Sequence, residues 1–229
     1  MEITLPDEVP VMTLPHTAFF PQALMPLHIF EPRYRHMLRD VLATNRFFAV
    51  AGLNLQEMND PDKFEPPYRV ATVGIVRACQ ENDNGTSNLL LQGLCRVAIK
   101  GIVREEPYRK IQIRALSSEP GAPEDENQTL RRELARLLNV KLRLSSVGKG
   151  SGPGEMAAFL KTVEDPEAFV DIAAFSLCED ASLKQKLLET LDVNHRLSLF
   201  GARLKRDIEQ LKLRRKLQGR LPDDRISDN

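Results

Sequence analysis

The sequence has no excess of charge of either sign. Its 229 residues include 32 Lys and Arg and 32 Asp and Glu, so the formal net charge is zero. A neutral chain has no overall electrostatic attraction to nucleic acid or to an anionic membrane. Tryptophan is absent, and no uninterrupted apolar run is long enough to cross a bilayer. Because the acidic N-terminus also lacks the pattern of a secretory signal, the sequence predicts a cytoplasmic protein without membrane contact.

Cysteine is scarce and shows no spacing typical of ligands or cross-links. The three cysteines are Cys79, Cys95 and Cys178, with no C-x-x-C pair. This disfavours a zinc site or a disulfide framework. The Asn84-Gly85 pair predicts a two-residue hairpin turn that places Cys79 opposite Leu90. Cys95 then lies on the other face of the sheet unless a bulge at Gly93 shifts the register, so we expect free, buried thiols.

The sequence also lacks the motifs that carry catalysis. The nearest approach to a phosphate-binding loop is Val147–Ser151, which has Arg143 in place of the first glycine and Gly150 in place of the hydroxyl residue. Ser146–Lys149 has the Ser-x-x-Lys spacing of penicillin-recognising enzymes but no accompanying Lys-Thr-Gly strand. The four histidines have no zinc-site spacing, and no nucleophile has a base at a recognisable distance along the chain. We therefore expect no enzymatic activity, no metal and no cofactor.

The first half of the chain has the composition of strands separated by turns. The predicted strands are residues 9–14, 24–30, 47–53, 70–80, 88–99, 101–105 and 108–116. Leu89–Leu91 is apolar on both faces, and such a strand needs cover on both sides. This favours a closed or half-closed barrel. The Pro-containing loop Asn54–Tyr68 is either a partner-facing loop or an inserted surface loop.

The second half has helical periodicity after a Pro- and Gly-containing linker at residues 117–127. One long helix is predicted around residues 130–144 and a second after Val193. Three shorter helices are predicted at residues 156–163, 168–178 and 183–191. Their apolar stripes predict an antiparallel helical bundle. The polar tail, residues 219–229, is expected to be disordered.

A strand-to-helix corner lies at Pro26–Tyr34, which we call the signature segment. Pro32 suits the first turn of a helix, because its missing N–H group would be unpaired there. Glu31 places a negative charge near the positive end of the helix dipole. The residues that follow have helical spacing and predict a core-facing side: Tyr34, Met37, Leu38, Val41 and Leu42.

Other pieces of the chain accompany this segment. They are Val11–Pro15, Phe19–Pro21, the Gly-x-x-Arg strand Gly93–Arg96, Asp171–Ala174, Lys184–Val193 and Arg196-Leu197. Together with Leu27–Tyr34 they resemble the Lon protease N-terminal domain family over about residues 8 to 215. The resemblance implies an α+β protein, with a PUA-like β-barrel at residues 8–118 followed by an α-helical bundle at residues 126–217.

The same resemblance implies a non-catalytic protein that binds unfolded or flexible protein segments. The sequence contains no counterpart of the ATPase and protease parts of the family, so an adaptor or modulator of proteolysis, acting with a protease complex, is the expected role. An adaptable apolar surface would be supplied by Phe19, Phe20, Leu24 and Met25, although these residues could equally close the barrel. The remaining signature residues are interpreted as structural: His28, Phe30, Glu31, Pro32, Arg33, Tyr34, Gly93 and Arg96. Among them, His28 is expected to form a structural hydrogen bond next to Glu31 or Arg33.

The C-terminal helix ends in a basic stretch, which raises an alternative function. Residues 205–220 contain seven Lys or Arg and two acidic residues, a local net charge of +5. An RNA-binding PUA-like module could use this helix end. Cations are also favoured near any helix C-terminus, and the neutral chain lacks aromatics interleaved with the basic residues. Nucleic acid is therefore not the expected partner.

Overall fold

The computed structural model describes residues 4–60, 64–145 and 152–218. Its strands are β1 (Glu8–Leu14), β2 (Leu24–Ile29), β3 (Phe47–Gly52), β4 (Val70–Glu81), β5 (Ser87–Arg104) and β6 (Lys110–Leu116). Its helices are α1 (Pro32–Leu42), α2 (Glu124–Ser145), α3 (Gly152–Thr162), α4 (Pro166–Leu177), α5 (Ala181–Glu189) and α6 (Val193–Gln218). The predicted α+β class is confirmed. The two strand segments predicted at residues 88–99 and 101–105 form one strand, β5.

The long strand β5 closes the sheet into a barrel. The strand order is β2-β5-β4-β3-β1-β6, and β5 also pairs with β6. The N-terminal part of β5 pairs with β2 and its C-terminal part with β6, whereas β4 follows the opposite edge. The pair β1–β3 is parallel and the other pairs are antiparallel.

Alternate residues of the strands fill the barrel interior with small aliphatic side chains. The buried cluster consists of Val9, Val11, Ala49, Ala51, Ala71, Val73, Val97, Ile111 and Ile113. The spacing of two along each strand places these side chains on one face of the sheet. Small residues suit this position because a barrel of few strands encloses little space. The apolar side of α1 is also confirmed, since Tyr34, Met37, Leu38 and Val41 are buried.

The β4–β5 hairpin differs from the prediction in register. The Asn82 amide donates to the Thr86 carbonyl at 2.8 Å, so the turn is longer than two residues. Gly85 adopts φ +73°, a left-handed conformation that glycine reaches without steric cost. Counting back from this longer turn places Cys79 opposite Leu89, so the predicted pairing with Leu90 was wrong. A register shift follows between Ala78 and Val76, further from the turn.

The three cysteines are free thiols in different environments. Cys178 is buried, Cys95 is half-buried and Cys79 is exposed, so the expectation of burial holds for Cys178 alone. A register shift does occur beside Gly93, where Gly74 faces Gly93 and Val73 faces Cys95. Burial raises the pKa of the Cys95 thiol, which therefore stays protonated at neutral pH.

The chain forms two compact units whose bounds differ from the predicted domains. The first consists of Met1–Glu119 and Val170–Asp192, and the second of Pro120–Phe169 and Val193–Asn229. The segment Val170–Asp192 lies inside the predicted bundle of residues 126–217 but belongs to the unit that contains the barrel. The predicted tail at residues 219–229 lies outside the described residues.

A buried ion pair explains why Val170–Asp192 belongs with the barrel. Arg96 of β5 donates two hydrogen bonds of 2.7 Å to the two carboxylate oxygens of Asp171. Its Nε donates to the Leu188 carbonyl at 3.0 Å. Both charged side chains are almost fully buried. Gln185 adds a bond of 3.2 Å from its amide nitrogen to the Val70 carbonyl.

In the second unit, α2 and α6 pack through apolar stripes. The buried residues of these stripes are Leu134, Leu138, Leu197, Phe200, Leu204 and Ile208. Near the start of α2, the side-chain amide of Asn127 donates to the Pro120 carbonyl at 2.9 Å. Lys141 and Arg203 both bond Asp207, at 2.8 and 2.7 Å. Among the described residues, no helix is both long and apolar enough to cross a membrane.

Replacing one partner of the buried ion pair is expected to destabilise the protein strongly. Asp171→Ala leaves the Arg96 guanidinium buried without its carboxylate, which typically costs about 3–5 kcal/mol. The matched control is Glu8→Gln, which removes an exposed pair with Lys110 at 3.5 Å and should cost less than about 1 kcal/mol. Urea unfolding measures both. Equal losses in the two variants would contradict a structural role for the buried pair.

Gly93 is expected to tolerate no side chain. An added Cβ would lie 2.1 Å from the Phe20 carbonyl oxygen and 2.9 Å from its carbon. Gly101, on the same strand, has no atom within 4 Å of the equivalent position. Gly93→Ala should therefore lower the free energy of unfolding by about 2 kcal/mol or more, whereas Gly101→Ala should change it by less than about 0.5 kcal/mol. Thermal unfolding of the two variants and the wild type measures this difference. Equal stability of Gly93→Ala and Gly101→Ala would contradict the prediction.

Candidate functional site

Three of the four residues predicted to bind peptide are in the core of the first unit. Phe19 and Phe20 have no exposed surface and Met25 is 6% exposed, whereas Leu24 is 51% exposed. The Phe19 ring meets the Phe175 ring edge-on at 6.0 Å. The predicted apolar surface is therefore absent at these positions, because the side chains are used for packing. The alternative interpretation, that they close the barrel unit, agrees with this burial.

Residues of the signature segment serve several structural roles. Pro32 is the first residue of α1 and Glu31 precedes it at the N-cap position. His28 is exposed, and its Nδ1 lies 2.7 Å from the Asn88 side-chain oxygen on β5. The expected partners of His28, Glu31 and Arg33, instead bond each other at 3.0 Å. Phe30 is 61% exposed and stacks on His28 with a centroid separation of 6.1 Å.

A groove of 440 Å³ lies within the first unit, where the signature segment meets two loops. We call it the Phe64 groove. It is bounded by β1, the start of α1, the β3–β4 loop and the β5–β6 turn. Its lining residues are Val11, Thr13, Arg33, Tyr34, Phe64, Glu65, Glu105, Glu106, Pro107 and Arg109. Its volume is in the range of about 300–1,000 Å³ that is typical of ligand sites.

Arg33 of the signature segment holds the loop at Glu65. Its two terminal nitrogens donate to the two Glu65 carboxylate oxygens at 2.8 and 2.9 Å. This paired geometry is the strongest form of a charge-assisted hydrogen bond. The bond to Glu65 raises the pKa of Arg33 above its ordinary value, so the guanidinium stays charged at every physiological pH.

Arg109 holds the same loop from the opposite direction. It is 7% exposed, and its Nη1 donates to the Glu65 carbonyl at 2.7 Å and to Thr13 Oγ1 at 3.3 Å. Its Nη2 donates to the Phe64 carbonyl, and its Nε donates to Glu105 at 2.7 Å. A buried guanidinium needs partners on all its nitrogens, and here the loop backbone supplies two of them.

The two arginines stabilise an unfavourable backbone conformation. Glu65 adopts φ +42°, in the left-handed region that residues with a Cβ rarely occupy. Such a conformation costs roughly 1–2 kcal/mol for an ordinary residue. The bonds from Arg33 to the Glu65 carboxylate and from Arg109 to its carbonyl offset that cost. Residues 64 and 65 are therefore fixed in place.

Phe64 presents an aromatic surface to solvent at this fixed position. Its side chain is 65% exposed, and the guanidinium carbons of Arg33 and Arg109 each lie 5.9 Å from the ring centre. Leu55 and Met58, in the same loop, are each 47% exposed. Tyr34 lines the groove wall, and burial raises the pKa of its hydroxyl, which stays protonated. The groove thus combines apolar area with a charged rim.

Only part of this site is indicated by sequence patterns. The loop Asn54–Tyr68 was a candidate partner-facing loop, and Arg33 was in the signature segment. Phe64, Glu65 and Arg109 were not singled out, because the contacts of Arg109 span 44 and 45 residues. A lone Phe in a Pro-rich polar loop was the available signal. Residues 61–63 of this loop lie outside the described residues.

The basic end of α6 has partners inside its own unit. Arg215 donates to the Leu144 carbonyl at the end of α2, and Lys205 pairs with Glu133 at 2.7 Å. Lys212, Arg214 and Lys216 are exposed. Arg220 and the motif residues 146–151 lie outside the described residues. Within the described ranges, no cluster of His, Cys, Asp or Glu could hold a metal ion.

A six-stranded barrel sheet with attached helices defines an α+β protein, and comparison with known proteins specifies its family. A family model described as the ATP-dependent protease La (Lon) substrate-binding domain matches residues 8–206. The chain belongs to this family. The resemblance inferred from the signature segment and the Gly-x-x-Arg strand is thereby confirmed.

Curated relatives of this chain include Lon proteases. The Lon protease of Desulfosudis oleivorans is 26% identical over 223 residues, which are 96% of this chain and 26% of that protein. The Lon protease of Dictyoglomus thermophilum is 27% identical over 221 residues, covering 96% of this chain and 27% of that protein. The chain therefore spans about a quarter of the length of these relatives.

Two solved structures share the fold. The N-terminal domain of Mycobacterium avium complex Lon protease superposes with a TM-score of 0.66 at 17% identity, covering 86% of this chain and 98% of that one. A Lon N-terminal domain protein from Xanthomonas campestris gives a TM-score of 0.60 at 20% identity, covering 85% and 97%. The match concerns the substrate-binding domain, and the ATPase and protease domains of Lon are not part of it.

Removing Arg109 is expected to loosen the loop that carries Phe64. At the loop base the Asn54 amide donates to the Pro66 carbonyl and the Tyr68 amide to the Gly52 carbonyl, each at 2.8 Å. In Arg109→Met, hydrogen exchange at these two amides should accelerate about 10-fold or more, since hydrogen bonds to charged groups contribute about 1.5–3 kcal/mol. Lys110→Met, one residue away, is the control. Unchanged exchange in Arg109→Met would show that Arg109 does not hold the loop.

Proposed function

We propose that this protein binds unfolded or flexible protein segments in the Phe64 groove and catalyses no reaction itself. Membership of the Lon substrate-binding domain family supports recognition of protein substrates. The observation that carries the proposal is Phe64, a 65% exposed aromatic residue that two arginines hold in a groove. The bonds from the two arginines hold the backbone at residues 64 and 65, so this segment loses little conformational entropy when Phe64 contacts a ligand.

The surrounding loop suits ligands of varied sequence. Leu55 and Met58, in the same β3–β4 loop as Phe64, are also exposed. Methionine is unbranched and polarizable, so it adapts to partners of different shape. An unfolded segment presents apolar side chains in no fixed order, and a site for such segments needs this tolerance. In this loop, Phe64 would anchor a bound segment, and the adaptable side chains of Leu55 and Met58 would accept segments of different sequence.

The proposed role is that of an adaptor or modulator of proteolysis. The proteins matched in sequence are proteases, and this chain matches them in the region described as substrate-binding. A protein that holds flexible segments without cleaving them can deliver them to a protease or withhold them. A protease complex is accordingly the proposed partner, and the cytoplasm the proposed location.

Replacing Phe64 is expected to weaken binding of an unfolded protein. Fluorescence anisotropy with labelled casein, a natively unfolded probe, should show about a 10-fold loss of affinity in Phe64→Ser, because burial of such a side chain contributes about 1.5–3 kcal/mol. Two controls remove other exposed apolar residues: Leu24→Ser, and Phe159→Ser on α3, where Phe159 is 51% exposed. Both controls should bind casein like wild type.

The same assay distinguishes the other outcomes. Wild-type affinity in Phe64→Ser would contradict the proposed site. Degradation of casein with ATP, by an activity that follows the protein through every purification step, would contradict the absence of a reaction. RNA is the second candidate ligand, favoured by the exposed Lys212, Arg214 and Lys216. Labelled RNA that binds in a salt-dependent way, and is lost on charge reversal of Arg214, Arg215 and Lys216, would support that alternative.

A further inference from the structure

We infer that the Phe64 groove selects segments in which a Lys or Arg side chain stands next to apolar ones. This inference rests on the proposed function and adds the charge of the substrate to it. Its basis is the pairing of the charged groups in the groove: most of them are bonded to one another or to the loop, and one described carboxylate remains for a ligand.

The cations of the groove are used to hold the protein's own loop. Arg33 bonds the Glu65 carboxylate through two nitrogens and Glu31 through the third. Arg109 bonds the Glu105 carboxylate and two loop carbonyls, and it is buried. An anionic ligand would have to displace one of these carboxylates. Among the residues of the groove that the structure describes, an acidic segment therefore finds no free cation.

The anions of the groove outnumber its cations. Two arginines and three glutamates among the lining residues leave a net charge of −1. Glu65 pairs with Arg33 and Glu105 pairs with Arg109. Within residues 4–60, 64–145 and 152–218, Glu106 forms no ion pair or hydrogen bond, and it is exposed. The Glu106 carboxylate is thus the charge that the groove offers to a ligand.

A Lys or Arg side chain matches this combination of surfaces. Such a side chain has an apolar stem that packs on apolar groups and a charged head that stays at a polar rim. In the groove, Phe64 and Pro107 provide the apolar surface and Glu106 provides the carboxylate.

The test compares two labelled, unstructured peptides of identical length. In one, Leu and Phe alternate with Lys; in the other, every Lys is replaced by Glu. The Lys peptide should bind wild-type protein at least about 5-fold more tightly, and added salt should reduce this ratio. Glu106→Gln should weaken binding of the Lys peptide about 3-fold, as expected for an exposed ion pair. Glu81→Gln, which removes an exposed carboxylate outside the groove, is the matched control and should have no effect.

The outcomes separate this inference from the proposed function. If Phe64→Ser weakens both peptides while the charge of the peptide and Glu106→Gln have no effect, the groove binds segments without charge selection and the inference is wrong. Tighter binding of the Glu peptide would also overturn it. If neither peptide binds the wild-type protein, the proposed function fails as well. A preference for Lys that falls in Glu106→Gln and is unchanged in Glu81→Gln supports the inference.

Discussion

The buried ion pair between Arg96 and Asp171 is the interaction on which the first unit depends. It joins β5, the strand that pairs with β2, β4 and β6, to a segment 75 residues further along the chain. Two bonds of 2.7 Å and a third to the Leu188 carbonyl compensate the removal of both charges from water. Without these hydrogen bonds, a buried apolar contact at this position would stabilise the unit more than the ion pair does. The geometry of the pair therefore specifies where Val170–Asp192 attaches.

The Gly-x-x-Arg strand combines two requirements three residues apart. At Gly93 the chain of Phe20 passes so close that a Cβ would lie 2.1 Å from its carbonyl oxygen. Backbone bonds on both sides of Gly93, from Gln22 at 3.0 Å and to Ala23 at 2.9 Å, fix this crossing. Arg96 then reaches Asp171. Gly93 and Arg96 of this motif thus have structural roles, since Gly93 permits the close approach of the Phe20 backbone and Arg96 joins β5 to Asp171.

Sequence patterns predicted the structural features that depend on residues close together along the chain. They missed the features that depend on contacts between residues far apart along the chain. The buried side of α1 and the barrel strands follow from spacings of a few residues. The register of the β4–β5 hairpin required knowledge of the turn length, and the membership of Val170–Asp192 required knowledge of a contact across 75 residues. The most direct example is phenylalanine: Phe19 is fully buried and Phe64 is 65% exposed. Local sequence did not distinguish them, since each lies near prolines in an irregular segment.

The strain at Glu65 connects the fold to the candidate site. A left-handed glutamate persists only where its surroundings hold it, and here two arginines do so from α1 and from the β5–β6 turn. The visible consequence is an exposed phenylalanine in a fixed position, which contributes little to the stability of the barrel. A loop in which residue 65 had a negative φ would fold without this conformational cost. We therefore attribute the strained arrangement to the proposed binding role of Phe64 rather than to the fold itself. Among the described lining residues of the groove, both arginines are already bonded to the protein's own groups, which is why the proposed charge preference rests on Glu106.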